Sequence, residues 1–231
     1  MSQAIAIVTG ASSGIGHEIV RELASTHRIV ALGRDAARLA ATGADITVTA
    51  DLRDAGEFAP GGKVAALIDS LERVDVLVHS AAVGTPGTFA ETDAAEWHRQ
   101  LTTNVVAPAL LTRLALPKLR EASGTVVFLG SGVSVRPAHQ MAAYVASKHA
   151  LKGLADSLRL DEAEHGVRVT TLMPGQVDTP MQVELQEGLG NAYRPERYLR
   201  PETVARAVRY VVDAPEDAHL TDLSIRPRVA S

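Results

Sequence analysis

The chain has 231 residues, a formal net charge of −4 at pH 7 and no cysteine. The lack of cysteine excludes disulfides, thiolate catalysis and cysteine-ligated metals, and the slightly acidic balance argues against nucleic acid or an anionic membrane as a partner. This length suits one α/β domain with a sizeable core, so we expect residues 1–231 to form a single domain.

Further observations argue against other classes of protein. The eight histidines are scattered without the spacing of a metal site, so no metal is expected. The longest apolar stretch, residues 105–116, is interrupted by polar residues, which argues against a membrane span. The start Met1-Ser2-Gln3 leads directly into a strand pattern and leaves no room for a signal peptide, so a cytoplasmic location is expected.

Strand and helix patterns alternate along the chain. Apolar runs predict strands at residues 4–9, 28–33, 45–50, 75–80, 125–130, 168–173 and 220–225. Helices are predicted near residues 14–25, 36–41, 63–71, 94–116, 142–165 and 201–213, with Pro108 expected to bend the fourth of them. Alternation of this kind favours an α/β fold, a Rossmann-type doubly wound domain with a central, mostly parallel seven-stranded sheet flanked by helices.

A glycine-rich turn follows the first predicted strand. Gly10, Gly14 and Gly16 have the spacing Gly-x-x-x-Gly-x-Gly, and Ser12 or Ser13 precedes a helical pattern. Such a turn lets the backbone approach a pyrophosphate, which the helix N-terminus attracts. The spacing differs from the commoner Gly-x-Gly-x-x-Gly, so an ordinary strand–helix connection remains an alternative.

A tyrosine and a lysine, Tyr144 and Lys148, lie four residues apart in a predicted helix, and Ser131 lies thirteen residues upstream. Positions i and i+4 share one helix face. A free phenol has a pKa near 10, and a cation about 4 Å away contributes roughly 4 kcal/mol, enough to lower that pKa to about 7. Ser131 could donate a hydrogen bond to a carbonyl oxygen that the phenol also touches. The alternative is a surface helix that carries the two residues by chance.

The ordered set of motifs resembles the short-chain dehydrogenase/reductase family from Ile5 to about Ile225. The matching features are the glycine-rich turn, Asp51-Leu52, Thr103-Asn104-Val105, Ser131, the Tyr144 and Lys148 pair, and Pro174-Gly175-Gln176-Val177-Asp178-Thr179-Pro180. The resemblance implies an oxidoreductase that transfers a hydride between a nicotinamide cofactor and a small carbonyl or alcohol substrate.

The resemblance also implies roles for individual residues. Tyr144 would be the catalytic acid/base, Lys148 would hold the nicotinamide ribose and lower the pKa of the phenol, and Ser131 would orient the substrate carbonyl. Asn104 would hold a water in a proton relay. Asp51 would bind the adenine edge and Thr179 the nicotinamide carboxamide. The expected cofactor contacts are Gly10, Ser12, Ser13, Gly14, Ile15, Gly16, Arg34, Asp51, Leu52, Ser80, Ala81, Ala82, Tyr144, Lys148, Pro174, Gly175, Val177 and Thr179.

One motif departs from the family pattern. His79-Ser80-Ala81-Ala82 stands where the family usually has Asn-Asn-Ala-Gly. The small residues still permit close approach of a cofactor, and we interpret His79 as a structural residue without a catalytic role.

The second predicted strand ends at Gly33, where an acidic residue would bind the ribose hydroxyl of NAD. Arg34 follows instead, and its guanidinium suits the 2′-phosphate of NADP, so NADPH is predicted over NADH. The alternative is that Asp35 binds the hydroxyl of NAD, although one step beyond the strand end turns its carboxylate away.

Residues 181–199 form the least regular segment, and their position matches the substrate-covering loop of the family, which predicts a lid; a mobile surface connection is the alternative. Leu151, Leu154 and Leu158 follow i, i+3, i+7 spacing, which gives the helix at residues 142–165 an apolar stripe. The family commonly pairs this helix and the helical pattern at residues 104–116 across a two-fold axis, so the resemblance predicts a homodimer or homotetramer. A non-catalytic dinucleotide-binding sensor or an assembly subunit with the same fold are the alternative functions. The sequence does not name the substrate.

Overall fold

The structure, a computed structural model, describes residues 3–228, so the expectations for Met1, Ser2 and the last three residues lie outside the described part of the chain. Seven strands form one sheet in which every pairing is parallel, in the order β3-β2-β1-β4-β5-β6-β7. The strands are β1 Ile5–Thr9, β2 Arg28–Gly33, β3 Ile46–Thr49, β4 Val76–His79, β5 Thr125–Leu129, β6 Arg168–Pro174 and β7 Asp222–Ile225. The α/β prediction is confirmed, and the sheet is wholly rather than mostly parallel.

Helices connect successive strands and cover both faces of the sheet. They are α1 Gly14–Leu23, α2 Ala36–Ala40, α3 Lys63–Ser70, α4 Ala94–Leu101, α5 Ala107–Ala122, α6 Ala142–Asp161, α7 Pro180–Gly188 and α8 Pro201–Val212. Parallel strands need such crossovers because each chain must return to the same edge of the sheet before it can pair again.

The apolar runs of the central part of the sheet become strands buried on both faces, β1, β2, β4, β5 and β6, whereas the edge strands β3 and β7 are only partly buried. Along β1, Ile7 belongs to the cluster that packs under α3, α5 and α6, whereas Ala6 and Val8 belong to the cluster on the α1 and α8 side. Successive side chains of a strand point to opposite faces, so a strand covered by helices on both sides has no polar face. This arrangement explains why continuous apolar runs, rather than alternating ones, predict these strands.

The helix predicted over residues 94–116 is present, but it contains a π segment and extends further than expected. The structure has α4, then a π-helical segment over Thr102–Val106, then α5, which extends to Ala122. Pro108 directly follows the π segment, at the start of α5. A π segment adds a residue to the turn and often occurs at functional sites.

The segment over residues 181–199 is also more regular than expected. Thr179 caps α7 by accepting a hydrogen bond from the amide of Gln182 at 3.3 Å, and Pro180 occupies the first turn. The sequence does not predict this helix because the glycines and the proline later in the segment are typical of a loop, although a threonine followed by a proline is a helix start signal. That residues 181–199 act as a lid over the substrate stays a prediction.

The leucine stripe on α6 packs inward. Leu151 is buried, and Leu154 and Leu158 pack against the core cluster beneath α6. These leucines are therefore not exposed to a partner subunit, and they do not support the expected homo-oligomer. Among residues 3–228, no helix combines the length and apolar character that a bilayer crossing requires.

Candidate active site

The carboxyl ends of the strands open into a cavity of about 570 Å³. The cavity lies beside β1, which pairs with β2 on one side and with β4 on the other, so the strand order reverses here. Open parallel sheets bind their ligands at such a reversal. All the expected cofactor contacts line this cavity: Gly10, Ser12, Ser13, Gly14, Ile15, Gly16, Arg34, Asp51, Leu52, Ser80, Ala81, Ala82, Tyr144, Lys148, Pro174, Gly175, Val177 and Thr179. Ser131 lines it as well, whereas Asn104 does not.

The turn after β1 requires glycine at its first position. Gly10 has a φ of +66°, and a Cβ at this position would lie 2.7 Å from Cα of Ala81. The hydroxyl of Thr9 accepts hydrogen bonds from the amides of Ser80 and Ala81, both at 3.1 Å, which ties the turn to the loop after β4. No side chain within residues 3–228 caps the first amides of α1. These N–H groups are free to bind an anion.

His79 is a structural residue in this geometry. Its ring is buried, stacks on Phe128 at a centroid distance of 4.8 Å, and its Nε2 lies 2.8 Å from Oγ1 of Thr112. Burial lowers the pKa of His79 to about 3, so the ring is neutral at physiological pH. The histidine thus fills space under the sheet instead of reaching the cavity.

Lys148 and Tyr144 lie together on α6 at the edge of the cavity. Nζ of Lys148 is 5.7 Å from the ring centroid of Tyr144 and donates a hydrogen bond of 2.8 Å to the carbonyl of Leu129. Burial lowers the pKa of Lys148 to about 8. Gly84 packs on the phenol ring, because a Cβ there would lie 2.9 Å from Cδ2 of Tyr144. The ring is therefore fixed from one side.

The expected lowering of the phenol pKa by Lys148 does not occur in this structure. Burial raises the pKa of Tyr144, and an interaction with the Ser131 hydroxyl partly opposes the rise. The physical reason is the burial of the phenol, whose loss of solvation outweighs the interactions that would lower its pKa; Nζ of Lys148 lies 5.7 Å from the ring centroid and donates to the Leu129 carbonyl. A phenol with a raised pKa keeps its proton at neutral pH.

Asn104 lies in the π segment behind the cavity and is buried. Its Oδ1 accepts from the amide of Val83 at 2.9 Å, and its Nδ2 donates to the carbonyl of Val83 at 2.8 Å and to Oγ of Ser147 at 2.9 Å. Both amide hydrogens are thus used within the protein. Ser147 in turn donates to the carbonyl of Tyr144 at 2.8 Å. The asparagine therefore links the loop after β4 to the helix that carries the phenol.

The far end of the cavity, after β2 and β3, carries two arginines. Arg34 is exposed at the cavity wall, and Arg53 forms a forked ion pair with Asp51, with Nη2 to Oδ2 at 2.5 Å. This hydrogen bond, together with the charges of Arg53 and Arg34, lowers the pKa of Asp51 to about 2. Arg53 was missed in the sequence, although it directly follows the Asp51-Leu52 motif.

Asp35, the alternative ribose ligand, is engaged elsewhere. Its Oδ1 accepts from the amide of Arg38 at 3.0 Å as the cap of α2, and its carboxylate pairs with Nε of Arg38 at 3.4 Å. Asp35 is not among the residues that line the cavity. The geometry thus favours Arg34 over Asp35 as the residue that faces a ligand at this end.

The other end of the cavity contains residues that the sequence did not single out. The inner face of α7 contributes Gln182, Leu185 and Gln186 to the lining. Arg136, after β5, and Arg226, after β7, also line it. The two arginines lie ninety residues apart in the chain, and only the parallel sheet brings them together.

The fold and the cavity define an α/β dinucleotide-binding protein with a serine, a tyrosine and a lysine side by side. The sequence model described as short chain dehydrogenase matches residues 4–190. The chain therefore belongs to the short-chain dehydrogenase/reductase family, a family of nicotinamide-dependent oxidoreductases.

Individual proteins are similar over almost the whole chain. An uncharacterized short-chain type dehydrogenase/reductase of Sinorhizobium fredii is 33% identical, over 96% of this chain and 91% of its own length. The structure of an alcohol dehydrogenase from Thermococcus sibiricus complexed with 5-hydroxy-NADP superimposes with a TM-score of 0.87 at 26% identity, covering 98% of this chain and 97% of that one. A metagenomic short-chain oxidoreductase in complex with NADP gives a TM-score of 0.82 at 28% identity, covering 98% of each chain.

Proposed function

We propose that this protein is an NADPH-preferring oxidoreductase that transfers a hydride between the nicotinamide cofactor and a carbonyl or alcohol substrate. The observation that carries the proposal is that Ser131, Tyr144 and Lys148 line the same cavity as the glycine-rich turn. A non-catalytic sensor would have no need of a phenol and an ammonium beside the cofactor site.

The residues of the cavity fit a dinucleotide. A side chain at Gly10 would collide with Ala81, so only glycine allows this tight turn. The uncapped amides of α1, directly after the turn, suit a diphosphate. Thr179 packs against this turn, because a Cβ on Gly14 would lie 3.2 Å from its Cγ2. We assign Thr179 to the nicotinamide carboxamide, as the family resemblance implies, and a bound nicotinamide would supply or take up the hydride.

Tyr144 is the proposed acid/base. In the direction of reduction its phenol donates a proton to the carbonyl oxygen, and the raised pKa of Tyr144 keeps that proton in place at neutral pH. Ser131 donates a hydrogen bond to the same oxygen, and the ammonium of Lys148 offsets the charge left on the phenolate. In the reverse direction the phenolate takes the proton of the alcohol.

Asn104 is proposed as a positioning residue. Both of its amide hydrogens are bound to Val83 and Ser147, which leaves none for the water that the family resemblance assigns to it. By joining Val83 to Ser147, which holds the backbone of Tyr144, it fixes the phenol relative to the cavity.

The preference for NADPH rests on charge. Arg34 is exposed on the cavity wall after β2, and Arg53 adds a second guanidinium nearby. The 2′-phosphate is a dianion that a guanidinium fork binds well. Asp35 would favour NAD, but its carboxylate caps α2.

Substitution of the phenol tests the proposal. We expect Tyr144→Phe to keep the fold and NADPH binding while lowering turnover by about 10²- to 10⁴-fold, the usual contribution of a positioned acid. Lys148→Met should weaken both cofactor binding and turnover. The measurement is NADPH oxidation over a panel of aldehydes and ketones, with Tyr210→Phe on the exposed face of α8 as the matched control. Tyr144→Phe with most of the wild-type turnover would refute the assignment.

A further inference from the structure

Two guanidinium groups converge at the substrate end of the cavity; we call Arg136 and Arg226 the arginine pair. A Cβ placed on Gly132 would lie 3.5 Å from Nη2 of Arg136 and 3.5 Å from both Cζ and Nη2 of Arg226. The two Nη2 atoms are thus at most twice that distance apart. Gly132 directly follows Ser131, and Ser131, Arg136 and Arg226 all line the same cavity.

The arginine pair lacks a counter-ion within residues 3–228. Neither guanidinium forms an ion pair with a carboxylate of that part of the chain. Nη1 of Arg226 donates to the carbonyls of Met173 at 2.5 Å and Ile225 at 3.0 Å, which anchors the side chain without neutralising it. Burial and the like charge of Arg136 both lower the pKa of Arg226. Two neighbouring like charges, one of them on the partly buried Arg226, are unfavourable unless an anion joins them.

The cofactor phosphates cannot be that anion. Arg34, which faces the 2′-phosphate in our proposal, follows β2, whereas Arg226 follows β7. Five strand spacings separate β2 from β7, a distance of about 24 Å at the usual strand separation. The diphosphate has partners of its own in the uncapped amides at the start of α1. The arginine pair is therefore left for the substrate.

We propose that the arginine pair binds an oxyanion of the substrate, a carboxylate or a phosphate, so that the enzyme acts on an oxo acid or a phosphorylated ketone and on the corresponding alcohols. This inference rests on the proposed function and specifies its substrate class. Two guanidinium forks suit the planar carboxylate or the phosphate, and the neighbouring Ser131 then receives the carbonyl of the same molecule. The hydride and the proton go to the carbonyl carbon and oxygen, and the anionic group is unchanged.

The test compares anionic ligands with neutral counterparts of similar shape. The oxo acids pyruvate, acetoacetate and levulinate are each paired with their methyl ester, and dihydroxyacetone phosphate is paired with dihydroxyacetone. Dissociation constants are measured by calorimetry on the enzyme saturated with NADP⁺, which has no hydride to give, so that binding is separated from reaction. The oxo acid pairs and the phosphate pair distinguish the two sources of the oxyanion.

We expect the wild type to bind at least one anion about 10- to 100-fold more tightly than its neutral counterpart, as for a charged hydrogen-bonded contact. Arg136→Gln and Arg226→Gln should each remove most of this ratio. Arg206→Gln, which removes an exposed cation of α8, is the matched control and should leave it unchanged. Arg136 is exposed and, within residues 3–228, makes no backbone hydrogen bond like those of Arg226, so its variant should fold normally.

Equal affinities for all anionic and neutral partners in the wild type overturn the inference. A ratio that survives in both arginine variants overturns it as well. The proposed function is judged separately, by NADPH oxidation with the same compounds and with neutral aldehydes and ketones. Turnover of neutral ketones without any preference for anions would leave the proposed function intact and refute the anion site alone.

Discussion

Arg34 is exposed at the wall of the cavity, and its neighbour Asp35 is held as a helix cap. We therefore expect Arg34→Ala to weaken NADPH binding by about ten- to a hundredfold, the cost of losing a charged hydrogen bond, while NADH binding changes little. The measurement is the dissociation constant of each cofactor by fluorescence titration. Arg206→Ala, which removes an exposed cation of α8 outside the cavity lining, serves as the control. If the ratio of the two constants is the same in Arg34→Ala as in the wild type, this arginine does not select the cofactor.

His79 gives a second prediction at the scale of a residue, on stability. Its pKa is lowered to about 3 in the folded protein, whereas an unfolded histidine titrates near 6.5. The unfolded state thus binds the proton first, so the stability from this site is present above pH 6.5 and is lost as the pH falls below it. Between pH 7 and pH 5 we expect a loss of about 2 kcal/mol.

Urea unfolding of the wild type and of His79→Asn at both pH values measures this loss. The asparagine cannot titrate, so the variant should lack the pH-dependent part even if it is less stable overall. His98→Asn, on the exposed surface of α4, should behave as the wild type. A His79→Asn protein with the same pH dependence as the wild type would mean that the acid sensitivity comes from other groups.

At the scale of elements, the central strands could be predicted within one or two residues because they are buried on both faces and appear in the sequence as continuous apolar runs. The edge strands β3 and β7 are only half-buried, and apolar and polar residues alternate along them. The π segment could not, since Thr102–Val106 has ordinary helical residues and its widened turn depends on the contacts of Asn104 with Val83 and Ser147. Likewise the arginine pair depends on the pairing of β5, β6 and β7, which no local pattern reveals.

Helix α7 and the residues after it carry the lid prediction. Leu185 and Gln186 line the cavity, and a Cβ on Gly188 would lie 2.7 Å from Cγ of Pro86, in the segment between β4 and α4. If this element closes over a ligand, its amides should exchange hydrogen more slowly when NADPH is bound. Hydrogen–deuterium exchange with mass spectrometry tests this on peptides that cover residues 180–199, and α8 is the internal reference. Unchanged exchange in residues 180–199 would identify the segment as a fixed wall.

At the scale of the whole molecule, the expected homo-oligomer now rests on the family resemblance and on scattered apolar exposure. Val106, at the start of α5, is 46% exposed and Leu160, near the end of α6, is 79% exposed. Both are large apolar side chains on the helices that the resemblance pairs across a two-fold axis. We expect a dimer or tetramer at micromolar concentration by light scattering. A monomeric mass under those conditions would contradict this expectation.

The order of the strands also has a consequence for how the protein is made. Ile7 of β1 pairs with Val30 on one side and with Leu77 on the other, so the centre of the sheet closes over long stretches of chain. Non-local parallel pairing of this kind is slow, because the entropy of loop closure is lost before the contacts form. The cavity is lined by Gly10, which directly follows β1, and by Arg226, which directly follows β7. A refolding chain should therefore regain its helices first and its ability to bind both ligands last, when β7 joins the edge of the sheet.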